Sequence, residues 1–118
     1  MWEVEYTDEF GRWWEGLTEA EQEAIGRSVE LLRIEGPSLG RPHVDTLKGT
    51  LHSNMKELRT QCEGRPFRTF FAFDPRRSAI LLIGGDKTGD DRFYERMIPI
   101  ADTLYGVHLE ELRKEGQI

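Results

Sequence analysis

The sequence predicts an α+β domain ordered β-α-α-β-β-β-α. Its helices, including a helical hairpin, are expected on one face of a mostly antiparallel sheet. Two observations predict this. The first and last thirds of the chain repeat apolar residues at helical spacing, and between them three strand-length runs follow one another across short turns. With 118 residues the chain can build one hydrophobic core without covalent staples, and it reads as a single domain over 1–118.

Trp2, Val4 and Tyr6 alternate with Glu3 and Glu5, the pattern of a half-buried strand. Thr7 is placed to cap a helix whose first turn holds Asp8 and Glu9, where carboxylates favour the helix dipole. Phe10, Trp13, Trp14 and Leu17 then share one face, an aromatic stripe that phasing assigns to the core. Thr18 with Glu21 forms a capping box for a second helix, with Ile25, Val29 and Leu32 inward and Gly36-Pro37 as its stop. The short connection makes the two helices an antiparallel hairpin.

Gly36 to Asn54 holds Pro37, Gly40, Pro42, Gly49, His43 and His52, and follows no period. A loop of this length in a small domain is more often functional than idle. Three strands follow. Lys56 to Cys62 places Leu58, Thr60 and Cys62 on one face and Glu57, Arg59 and Gln61 on the other. Gly64-Arg65-Pro66 turns the chain into Phe67 to Phe73, and Asp74-Pro75-Arg76-Arg77 turns it again. Ala79 to Ile83 is apolar throughout, so it is covered on both faces, and Gly84-Gly85 ends it. In the last third, Ile98, Ala101, Tyr105, His108 and Leu112 are roughly in helical phase. Pro99 predicts a break between a short piece and a longer one.

The formal net charge is −6, but it is unevenly spread. From Arg41 to Arg96, 11 Lys and Arg stand against 8 Asp and Glu, while elsewhere 5 stand against 14. Such a chain is not a non-specific nucleic-acid binder, which needs a broad basic surface, but a local cationic cleft is compatible with it. The acidic helices face either solvent or a basic partner. No apolar run reaches the ~20 residues of a membrane helix, and the acidic N-terminus is unlike a secretory signal. Cys62 stands alone, so neither a disulfide framework nor a cysteine zinc site is expected, and a cytoplasmic location follows by default.

The cations of the central segment sit in or beside apolar strands, where a fold rarely places one without a use. Arg59 and Arg68 lie on strands joined by one short turn, and in a hairpin their guanidinium groups approach each other. They either hold a phosphate between them or pair with carboxylates such as Glu57 and Asp74. Lys87 follows the double glycine. Gly84 to Gly89 lacks the spacing of a nucleotide P-loop, so triphosphate binding is rejected and a lysine at a strand-end turn remains. Glu57 is a candidate general base or a counter-ion, Tyr94 a stacking or proton-donating group or core, and His52 a candidate acid or base. The three histidines have no metal-ligand spacing, and no Gly-x-Ser-x-Gly nucleophile motif occurs.

In order, Lys56-Glu57-Leu58-Arg59, Gly64-Arg65-Pro66-Phe67-Arg68, an apolar strand, and Gly85-Asp86-Lys87-Thr88 leading to Tyr94 resemble the RelE/HigB toxins of bacterial type II toxin–antitoxin systems, in the phage-derived Gp49-like branch. The resemblance covers Trp2 to Leu112. It implies a metal-independent endoribonuclease, with no cofactor, that cuts mRNA in the ribosomal A site by 2′-hydroxyl attack. It also implies partnership with the ribosome and a cognate antitoxin. Carried to this chain, it implies catalytic roles for Arg68, Lys87, Glu57 and Tyr94, and substrate contacts from Lys56, Arg59, His52 and Arg65. The chain departs from many members in being acidic and in having no histidine beside Tyr94. A ParE-like gyrase poison and a catalytically degenerate antitoxin-binding module stand as the alternatives.

Overall fold

The computed structural model describes residues 1–118. In chain order its elements are β1 (Val4–Tyr6), α1 (Asp8–Glu15), α2 (Glu19–Glu35), a 3₁₀ turn (Gly36–Ser38), β2 (Val44–Thr46), β3 (Met55–Cys62), β4 (Arg65–Phe73), β5 (Ala79–Asp86) and α3 (Phe93–Lys114). The five strands form one sheet in the order β1-β5-β4-β3-β2, antiparallel except where β1 runs parallel to β5. The α+β class and the mostly antiparallel sheet are as the sequence predicts.

The helix starts are set locally. The Thr7 hydroxyl accepts from the Phe10 amide at 3.0 Å, and Thr18 and Glu21 exchange both capping-box bonds. Gly36 ends α2 at φ +60°, in a seat closed by the Trp2 indole, so a side chain there would be strained and would collide.

Three expectations are corrected. The long loop is not wholly irregular, because Val44–Thr46 pairs with β3 as an edge strand. Two β-branched residues flanking Asp45 suit a strand, but three residues are too few to show a period. Nor are all helices on one face. The α1–α2 hairpin covers Leu58, Phe71, Ala79 and Leu81, while α3 covers Met55, Phe70, Ala72, Ile80 and Leu82 on the other side. A sheet with two apolar faces requires both layers. Finally, α3 runs unbroken through Pro99. Pro99 and Glu95, whose carbonyl loses its amide partner, are both exposed, which leaves that carbonyl on the solvent side of the helix. No helix is long and apolar enough to cross a membrane.

Candidate functional site

A two-residue turn sets the site's register. Glu63 and Gly64 adopt φ of +54° and +76°, the left-handed pair of a tight hairpin, and this aligns Arg59 directly with Arg68 and Glu57 with Phe70. Glu57, Arg59 and Arg68 therefore share the sheet face that α3 covers. Arg68 in turn lies opposite Gly85 of β5. A Cβ on Gly85 would stand 2.8 Å from the Phe93 ring, so the glycine lets the start of α3 settle on the sheet. That contact delivers Tyr94, whose ring stacks on Phe70 at 6.0 Å.

Glu57 is the hub. It is 3 % exposed, and both of its oxygens are engaged. Oε2 accepts from Arg59 Nε at 3.0 Å, with Arg59 Nη2 in ion-pair contact at 3.0 Å, and Oε1 accepts from the Tyr94 hydroxyl at 2.6 Å. Arg68 Nε lies 3.6 Å from Oε1, too far for a hydrogen bond, and is a buried donor without an acceptor. Arg68 Nη1 is held by the Phe67 carbonyl at 3.0 Å, which fixes the guanidinium plane. Lys87 places its Nζ 5.7 Å from the centre of the Tyr94 ring, within reach of a cation–π attraction.

The electrostatics follow from this packing. Burial, and then the Glu57 carboxylate, raise the Tyr94 phenol above its ordinary value, so it keeps its proton across the neutral range. On the outer side, Asp45 of β2 bridges Arg59 at 3.3 Å and Arg41 at 3.1 Å. The Arg41 hydrogen bond, helped by the Thr46 amide, holds the Asp45 carboxyl below its usual range against a smaller desolvation effect. Charges alternate from Arg41 to Glu57, and the row then ends on two cations, Arg68 and Lys87, with no second carboxylate.

The structure thus gathers Glu57, Arg59, Arg68, Lys87 and Tyr94, and it leaves three other sequence candidates elsewhere. Lys56 points to the hairpin face, with Nζ 3.4 Å from Thr46 Oγ1. Arg65 is also on that face, over the Phe67 ring and paired with Glu21, Glu63 and Asp86. His52 is fixed on α3, its Nδ1 3.1 Å from Asp102 and its ring edge-on to Tyr105. Asp45 and Arg41 were not anticipated. Their i, i+4 spacing is the one signal the sequence carries, since Val44-Asp45-Thr46 is too short to mark a strand. A further buried network, in which Asp74 accepts from Arg76 at 2.8 Å and lies 2.8 Å from His108 Nε2, ties the β4–β5 turn to α3.

Comparison with known proteins places the chain in a family. Residues 12–106 match the family described as phage derived protein Gp49-like. Over 101 residues the chain is 44 % identical to the Mycobacterium tuberculosis protein named "Putative toxin HigB2", covering 84 % of this chain and 50 % of that protein. Over 92 residues it is 48 % identical to "Putative toxin HigB3" of the same organism, covering 77 % of this chain and 79 % of that one. The chain therefore spans about half the length of the first relative and about four fifths of the second. No solved structure matches it. With a family match over most of its length and two relatives this similar, the chain belongs to the phage-derived Gp49-like family, in the company of the HigB toxins.

Proposed function

We propose that this protein is the toxin of a type II toxin–antitoxin system and that it cleaves mRNA in the ribosomal A site, held in check by a cognate antitoxin. The names of its relatives support the first part. The second rests on one observation, the convergence of Arg59, Arg68 and Lys87 with Tyr94 around a single buried carboxylate. The acidic balance of the remaining chain makes this the natural place for a phosphodiester to dock.

In the proposed reaction the 2′-hydroxyl of the RNA gives its proton to solvent water and its oxygen attacks the adjacent phosphorus, while the bond to the 5′-oxygen breaks and that oxygen takes up a proton. The products are a 2′,3′-cyclic phosphate and a 5′-hydroxyl. Negative charge builds on the non-bridging oxygens, and stabilising it is the largest task of the protein. Arg68 suits that task, with a guanidinium fixed in plane and a buried Nε that has no acceptor. Lys87 adds a second cation over the Tyr94 ring. Tyr94 retains its proton and can donate it toward the leaving oxygen. Glu57 is sequestered by its donors, so we assign it to positioning rather than to abstraction of the 2′ proton.

The test is expression of the chain in bacteria, with mRNA 5′ ends mapped soon after induction for wild type and Arg68→Ala. Growth arrest with new cuts in translated messages, abolished in the variant, is the expected result. Arrest without new ends would overturn the nuclease in favour of another target such as gyrase. No arrest would leave only an antitoxin-binding module.

A further inference from the structure

A cavity of about 520 Å³ opens beside the cluster, at the free edge of β3. The edge is free because β2 pairs with β3 only from Lys56 to Leu58, so Thr60 to Cys62 have no strand neighbour on that side. Arg27 of α2, His43, Arg59, Gln61 and Arg68 all line it. None of its ten lining residues is Asp or Glu, in a chain that carries 22 of them.

The cavity also contains donors that nothing in the protein occupies. Arg27 is exposed and makes no ion pair, although Glu23 and Glu30 stand at helical spacing from it and Glu30 pairs with Arg33 instead. His43 and Gln61 are likewise exposed, with no partner for their side chains. Arg59 is shared with Glu57 and Asp45, so it reaches the cavity partly neutralised. Arg68 reaches both the cavity and the cluster, which makes the two continuous. Leu31 and Pro42 supply an apolar wall against which a ribose or base can lie.

Unmatched donors converging beside an apolar wall describe a site for a phosphorylated, partly apolar ligand. Resting on the nuclease reading, we infer that this cavity receives a nucleotide of single-stranded RNA flanking the scissile one, with Arg27 on its phosphate and His43 and Gln61 on its sugar or base. Single strands are held in this way, by cations along the backbone and side chains against unstacked bases. The RNA path then runs from the cluster around the β3 edge toward α2, and α2 is part of the substrate surface.

The test uses the purified protein and a short single-stranded oligoribonucleotide made uncleavable by 2′-deoxy substitution, with binding followed by fluorescence anisotropy at several salt concentrations. Each phosphate contact on a single strand contributes a slope of about 0.7 in log Kd against log salt. Arg27→Gln is expected to weaken binding about fivefold to tenfold and to lower that slope by about 0.7, with Arg27→Lys restoring the slope. Gln61→Ala is expected to weaken binding without changing the slope. An unchanged affinity and slope in Arg27→Gln would overturn the inference, as would failure of the wild type to bind. The nuclease reading is judged separately by cleavage in cells, so either idea can fail alone.

Discussion

Replacing Glu57 by Gln removes one charge from the point where two arginines and a phenol meet. Gln has nearly the same shape, so packing is kept and the loss is electrostatic. Removing one member of a buried ion pair costs about 3–5 kcal/mol when the survivor stays buried. Arg68 is largely shielded, with 14 % of its side chain exposed, whereas Arg59 is 34 % exposed and retains Asp45. The amide oxygen still accepts one hydrogen bond, but its N–H₂ must face a donor. These effects place the loss at about 2–3 kcal/mol. For a domain of this size that lowers Tm by roughly 8–12 °C. Thermal and urea unfolding of both proteins, followed by circular dichroism, measures it. A difference below about 0.5 kcal/mol, the range of an ordinary surface change, would refute the hub. The pH profile of cleavage supplies the second readout. A positioning role lowers the rate and leaves the profile's shape unchanged, whereas a general base would take the acid limb with it.

Other outcomes are expected elsewhere in the molecule. Arg68→Ala should lower cleavage of a translated message about 10²–10³-fold, the usual loss for one donor to a developing oxyanion, as read by primer extension. Tyr94→Phe keeps the ring on Phe70 but deletes the 2.6 Å bond to Glu57, and should cost about 1.5–3 kcal/mol in urea unfolding. Gly84→Ala drives a methyl group into the Trp13 ring and should destabilise by about 1–3 kcal/mol in the same assay. Asp74 carries the pH prediction. Burial alone would raise its carboxyl, but hydrogen bonds from Arg76 and His108 outweigh this and hold it below its ordinary value. The folded state then binds this proton less readily than the unfolded chain. Its stabilisation is complete above roughly pH 4 and is lost as pH falls through the lower, folded value. The stability gap between wild type and Asp74→Asn should therefore shrink below about pH 4 in unfolding curves taken across that range.

Much of the local structure was legible in the chain. Both helix caps, the aromatic stripe of α1 and the three central strands depend on neighbours a few residues away, and the residues state them directly. The pairing of Arg59 with Arg68 was also within reach, because one tight turn sets it. What escaped is what depends on distant contacts. The strand Val44–Thr46 exists because β3 offers it an edge. The helix passes through Pro99 because that side faces water.

The sequence by itself determined the α+β class, the caps of α1 and α2, and the placement of two arginines on facing strands, since hydrophobic period and capping chemistry act over short separations. The hairpin turn falls at Glu63-Gly64 and β5 runs on through Gly84-Gly85, where the residues suggested a turn over Gly64-Arg65-Pro66 and a strand end at the double glycine. Only the tertiary structure decided that α3 covers the second face, that Glu57 is buried among its donors, and that Lys56, Arg65 and His52 are drawn into other contacts. The reason is physical. Alternation along a strand separates two faces without saying which layer covers each, and a charged side chain takes whichever partner the packed layers bring within about 3 Å.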